Sequence, residues 1–189
     1  VADSSPHQSF EAVVLPYRDD AYDLARWLMR DGPAAEDVLQ DAMVRALTYF
    51  PSFKGVNPRA WLLQIVRNTA YSSMKLNRGI ELVPLASGED GTDVLASTQE
   101  DGTDVIADLP SLDDDPEVSL IKARDYCYVR QLIASLPVEL REILVLREFE
   151  ELSYKEMAEV TQIPIGTVMS RLWRARQILV RATAKQEKP

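Results

Sequence analysis

Residues 153–182, SYKEMAEVTQIPIGTVMSRLWRARQILVRA, decide the reading of this chain. Ser153 followed three residues later by Glu156 is a capping-box pattern, so a helix is predicted to start there. That helix is short, with Met157, Ala158 and Val160 as its apolar positions. Ile163-Pro164-Ile165-Gly166 breaks it, because proline disfavours a helical residue before it. In the next helix Val168, Leu172, Ala175 and Leu179 make one apolar stripe at spacings of four, three and four. Thr167, Ser170, Arg171 and Arg174 fall on another face, and such side chains donate to phosphates and base edges. A short helix, a tight turn and a long basic helix make a helix-turn-helix, whose second helix enters the major groove. An arginine-rich solvated helix in an ordinary bundle would carry the same pattern, so the rest of the chain has to decide.

The overall charge argues against a DNA binder until it is divided. The 189 residues carry a net charge of −9. Residues 79–120 hold twelve Asp/Glu and no Lys or Arg, whereas residues 153–189 hold seven Lys/Arg against three Asp/Glu. The acidity therefore belongs to one segment and the basic footprint to the helix-turn-helix end. That acidic segment is rich in Gly, Ser, Thr and Pro and has no sustained periodicity. Within it EDGTDVLA (89–96) recurs as EDGTDVIA (100–107). It is expected to be a flexible linker over 79–116 that cannot bury enough apolar surface to fold alone. Two copies are too few for a solenoid, and the calcium-loop pattern is not met.

On either side of the linker the chain reads as helix throughout, so the expected class is all-α. Two small helical domains are expected, over about 10–78 and 117–183. Residues 1–9 are polar and are expected to fray. Phe10, Val13, Val14 and Tyr17 keep helical spacing, as do Ala21, Leu24, Ala25 and Leu28, with Pro16 placed to kink the run. Asp31-Gly32-Pro33 is a stop followed by a start. The helix from about Pro33 to Phe50 is expected to carry Ala35, Val38, Leu39, Ala42, Ala46 and Phe50 as its apolar stripe and to expose an acidic patch of Glu36, Asp37, Gln40 and Asp41. Asn57 caps the next helix, with Pro58 as its first residue. Its stripe is Leu62, Ile65, Val66 and Thr69. Around that stripe Phe53, Lys54, Arg59, Trp61, Arg67, Asn68, Tyr71, Lys75 and Arg78 interleave aromatic with polar and basic residues, a pattern that suits single-stranded nucleic acid. Trp61 and Tyr71 would fit a core equally well. Beyond the linker, helices are expected from Asp115-Pro116-Glu117 to about Leu136, and again after Pro137.

Catalytic groupings are missing. The one histidine is His7, and there is no Gly-rich phosphate loop, H-E-x-x-H or nucleophile-elbow serine. No enzyme activity, cofactor or metal is expected. The one cysteine, Cys127, permits no intramolecular disulfide and no cysteine zinc cluster. No apolar run approaches the roughly 20 residues of a membrane span, and no secretion signal is evident. A cytoplasmic setting is expected.

The ordered set of segments AEDVLQDAMVRA (35–46), PRAWLLQIVRNTA (58–70), LPVELREILVLR (136–147) and PIGTVMSRLWRAR (164–176) resembles a bacterial sigma factor of the extracytoplasmic-function group, the smallest members of the sigma-70 family. The resemblance covers nearly all of the chain except the linker and the two ends. It implies an initiation factor working with RNA polymerase core, docked on the beta-prime clamp helices through Asp37, Gln40 and Asp41 and also touching the beta flap. It implies that loop 51–58 and the following helix recognise and melt the minus-ten element. Phe53, Lys54, Val56 and Asn57 would line a pocket for a flipped base, with Arg59, Trp61, Arg67 and Asn68 nearby. It implies that Thr167, Ser170, Arg171 and Arg174 read the minus-thirty-five duplex, with Arg176 holding phosphate. Met169 stands where many relatives carry a basic residue, and Trp173 sits at the edge of the DNA-facing side. An anti-sigma factor, often membrane-anchored in the family, is the implied regulator. The alternative is a free-standing helix-turn-helix regulator binding an operator as a dimer. A third reading is an interaction protein working through its acidic linker. Residues 10–78 offer neither a dimer seam nor an alternating strand–helix phosphoacceptor domain, which favours the first.

Overall fold

The computed structural model describes residues 6–78 and 116–186, and the duplicated acidic repeat lies outside them. In chain order the helices are α1 (Pro6–Val13), α2 (Arg18–Met29), α3 (Gly32–Tyr49), α4 (Pro58–Arg78), α5 (Pro116–Ser135), α6 (Val138–Glu148), α7 (Tyr154–Thr161) and α8 (Ile165–Gln186). Short 3-10 turns at Leu15–Tyr17 and Phe50–Ser52 join α1 to α2 and follow α3. No strand occurs among the described residues.

The local signals explain the boundaries. Pro16 does more than kink the first run: it divides it into two helices around a 3-10 turn. The opening is helical from Pro6 rather than frayed to residue 9, because proline suits a first turn and Phe10 and Val14 are buried. Arg30 ends α2 in the left-handed region at φ 64°. The Asp31 carboxylate then accepts from the Ala34 N–H at 2.9 Å to start α3. Asn57 caps α4, its Oδ1 accepting from the Ala60 N–H at 3.0 Å. Ser153 and Glu156 make the expected reciprocal capping box on α7.

Two sets of helices form, as the periodicity predicts, but they do not stand apart. Helices α2, α3 and α4 pack on one another through Leu24, Leu28, Val38, Leu62, Leu63 and Val66. Helices α6, α7 and α8 pack through Ile143, Leu146, Met157, Val160, Val168 and Leu172. Then α2 lies against α6 and α4 against α7, so that one apolar core runs through both sets. Across that seam Trp27 meets Phe149 with ring centroids 5.0 Å apart. The Arg141 guanidinium, on α6, donates to the Leu28 carbonyl of α2 at 3.2 Å. Each fully buried leucine contributes about 1.5–3 kcal/mol, so continuity of the core ties the two sets together.

Candidate nucleic-acid interface

Helix α3 presents its outward side to solvent. Asp37, Gln40 and Asp41 are exposed there, as expected. Val44 and Leu47 continue the same side and are also exposed, at 66% and 42%. Counting four and seven residues on from Gln40 finds them. The result is an acidic stripe running into an apolar one, a combination suited to docking a mixed basic and apolar surface.

The segment between α3 and α4 forms a shallow cleft of about 390 Å³, lined by Phe53, Lys54, Gly55, Val56, Asn57, Trp61 and other residues. Its floor is aromatic. Phe53 packs on Trp61 at 4.7 Å between centroids, and Phe50 lies 6.3 Å from Phe53 and 5.3 Å from Phe10. Trp61 is half-buried, so it is neither wholly core nor free to stack. Gly55 passes close over the Phe53 ring, where an added Cβ would come within 2.7 Å of Cε2. Val56 is fully exposed at the rim, and Lys54 is exposed beside it. Thus the structure brings Phe53, Lys54, Val56, Asn57 and Trp61 together around one opening. Glu159 and Gln162, from α7, reach the same opening.

Further along α4, Arg59 and Arg67 are engaged with the other set of helices. Arg59 uses all three guanidinium nitrogens: Nε donates to Asp20, Nη1 to the Glu150 carbonyl at 2.7 Å, and Nη2 to Glu150 Oε2 at 2.6 Å. Arg67 donates through Nε to Glu142, while its guanidinium lies 4.6 Å from the centre of the Tyr71 ring. The Tyr71 hydroxyl donates to the second oxygen of Glu142. Asn57 Nδ2 donates to Glu156 Oε1 at 2.8 Å. Asn68 is exposed.

These contacts shift the acids involved. Burial pushes the Glu142 carboxyl up, against the pull of Arg67. Burial likewise pushes Glu150 up to about 7, with Arg59 opposing the rise and Asp20 and Asp23 adding to it. Burial, and then the Glu142 carboxylate beside it, raise the Tyr71 phenol, which stays protonated. Glu156 is held low by its hydrogen bonds from Ser153.

On α8 the buried stripe is Val168, Leu172 and Ala175, which leaves Ser170, Trp173 and Arg174 exposed on the outer side. Trp173 is 63% exposed, so it belongs to the outer face and not to the core. Thr167 is half-buried and its carbonyl accepts from the Ser170 hydroxyl at 3.0 Å. Arg171 and Arg176 lean back onto α6: Arg171 pairs with Glu139 at 2.9 Å and Arg176 with Glu148 at 2.6 Å. The five candidates on this helix therefore divide into an outward pair, Ser170 and Arg174, and side chains held nearer the body of the fold.

Both halves of the chain match known proteins. Residues 13–79 match the family profile described as Sigma-70 region 2, and residues 128–179 match the one described as Sigma-70, region 4. The chain is 34% identical over 176 residues to the RNA polymerase sigma-H factor of Pseudomonas aeruginosa, covering 93% of this chain and 86% of that one. It is 30% identical over 176 residues to the ECF RNA polymerase sigma-E factor of Haemophilus influenzae, covering 91% and 86%. In three dimensions it is similar to the sigma factor RpoE in its co-crystal with the anti-sigma factor NepR from Bartonella quintana. That match has a TM-score of 0.62 at 24% identity, over 91% of this chain and 94% of the other.

Proposed function

Because this chain belongs to the sigma-70 family of RNA polymerase sigma factors, in its extracytoplasmic-function group, we propose that it carries core polymerase to a specific set of promoters and helps to open them. The observation that supports this reading best is the presence of three separate surfaces on one chain. These are the exposed acidic and apolar side of α3, the aromatic-floored cleft before α4, and the outward side of α8.

Each surface suits one step. Asp37, Gln40 and Asp41, extended by Val44 and Leu47, dock on the beta-prime clamp helices. Exposed carboxylates steer association and lose little on docking, and the adjoining apolar residues supply buried area. The cleft takes a base flipped from the non-template strand of the minus-ten element. Phe53 and Trp61 offer it ring surface, while Lys54, Val56 and Asn57 form the rim. Unstacking a base costs a few kcal/mol, so a pocket that holds the flipped base favours the melted state. Arg59, Arg67 and Asn68 continue that path along α4. Ser170 and Arg174 enter the major groove of the minus-thirty-five element, with Thr167, Arg171 and Arg176 at the flanks and the phosphates. Contact with the beta flap falls to the α5–α8 half. The co-crystallised relative has an anti-sigma factor as its partner, and we extend that mode of control to this chain, with the cytoplasm as its site of action.

The test is transcription from the promoter upstream of the protein's own gene, with purified core polymerase. Specific transcripts that need both components support the proposal. Tight, strongly salt-dependent binding of the lone protein to that DNA, with no initiation, would instead favour the operator-binding regulator.

A further inference from the structure

The outer face of α8 carries two rows of side chains, one polar and one apolar. Ser170 and Arg174 make the polar row. Met169 and Trp173 make a parallel row displaced by one residue, and they are exposed at 52% and 63%. The helix buries Val168, Leu172 and Ala175, and at 3.6 residues per turn the two rows flank the direction opposite that stripe. Gly166, in the first turn, falls between the rows, and a Cβ added there would meet nothing within 4 Å. The face is therefore open to close approach at the N-terminal end of the helix. Arginine supplies less of it than the sequence suggests, because Arg171 and Arg176 are paired with Glu139 and Glu148 on α6.

Most of what base edges offer in the major groove is a hydrogen-bond donor or acceptor, which suits Arg174 and Ser170. The apolar feature that tells one base pair from another is the C5 methyl group of thymine. We propose that Met169 and Trp173 read thymine methyl groups in the minus-thirty-five duplex, so that the element this chain selects places A·T pairs under them beside a guanine under Arg174. This deepens the proposed function above and rests on it. Residues four apart are about 6 Å apart along the helix axis, close to two base-pair steps of about 3.4 Å, so the two thymines lie within about two steps of each other. An unbranched, polarizable methionine adapts to a methyl on a groove wall, and an indole covers one with a large flat area. A protein partner is the other occupant an apolar row could take. DNA is favoured because the polar row lies alongside, because residues 153–189 carry seven Lys/Arg against three Asp/Glu, and because α7 and the turn before α8 present it as a groove-entering helix.

The experiment uses the full chain, purified core polymerase and the promoter upstream of the protein's own gene, with its minus-thirty-five segment randomised. Templates that yield transcripts are sequenced for the wild type, Met169→Ala and Trp173→Ala. In the best wild-type template each thymine of that segment is then replaced by deoxyuridine, which removes the methyl and keeps the hydrogen-bonding edges. Deoxyuridine is expected to weaken promoter binding by the wild-type holoenzyme about fourfold at each of two positions, the worth of one buried methyl group. Met169→Ala is expected to lose that sensitivity at one position and Trp173→Ala at the other, while both keep the guanine. Helical circular dichroism should be unchanged, and if either alanine variant loses helicity, Met169→Gln or Trp173→Gln takes its place. Wild-type binding that ignores deoxyuridine at every position overturns the proposal. So does a methyl sensitivity that survives in both variants, or an unaltered set of selected templates, which would assign the apolar row to a protein partner. If no template gives transcripts that need the protein, the proposed function fails. If such transcripts appear without methyl dependence, that function stands and only the thymine reading falls.

Discussion

Glu142 is a carboxylate with no exposed surface, and its two oxygens are held by Arg67 and Tyr71 from a helix 71 or more residues earlier in the chain. Breaking such a pair by removing one partner costs more than never having had it, because a buried charge is left without compensation. Arg67→Ala is therefore expected to lower stability by about 3 kcal/mol in urea unfolding, whereas Arg67→Met combined with Glu142→Leu recovers most of that loss. Glu150 gives a pH signature. Its carboxyl is raised from 4.5 to about 7 in the folded chain, so the fold binds that proton more tightly than the unfolded chain does. The stability it contributes is complete below about pH 4.5 and is lost as pH rises through about 7. Melting temperatures of wild type and Glu150→Gln measured across that window should diverge, the wild type falling relative to the variant as pH increases. At this scale the sequence named Arg59, Arg67 and Tyr71 as notable but paired none of them. The partners lie on the far side of the linker, and no spacing rule reaches that distance.

Elements were far more legible, because each start carries its own local chemistry. The Ser153–Glu156 box on α7, the Asp31 cap on α3 and the Asn57 cap on α4 all rest on contacts three residues away. Ser153→Ala is expected to cost about 1 kcal/mol, read as a lower melting temperature. Faces were legible where the apolar stripe is buried and incomplete where apolar residues are exposed. Val44 and Leu47 extend the acidic side of α3, and their position becomes clear only once the buried side, Val38, Leu39, Ala42 and Ala46, is known. Val44→Asp should weaken binding to core polymerase by about tenfold or more in a pull-down or anisotropy titration while leaving the melting temperature unchanged, because a 66% exposed side chain holds nothing in the fold. On α8, periodicity found the outer face but could not see that Arg171 and Arg176 turn back to Glu139 and Glu148 on α6.

At the scale of the whole molecule, a continuous core and a seam of ion pairs make the two helical sets cooperate. Thermal unfolding followed by helical circular dichroism and by tryptophan fluorescence should give coincident transitions, since Trp27 and Trp61 report one set and Trp173 the other. In Phe149→Asp the two probes should separate as the seam weakens. What the sequence by itself determined is the set of helices, their caps, the side each one buries and the family they compose. These follow from dihedral preferences, hydrogen bonds over a few residues and a repeat of 3.6, all of them short-range. Only the tertiary structure decided that α2 and α4 meet α6 and α7, and hence that Asn57, Arg59 and Arg67 face Glu156, Glu150 and Glu142. That choice depends on complementary shape and charge between surfaces 75 to 99 residues apart. Neighbouring residues carry no record of it.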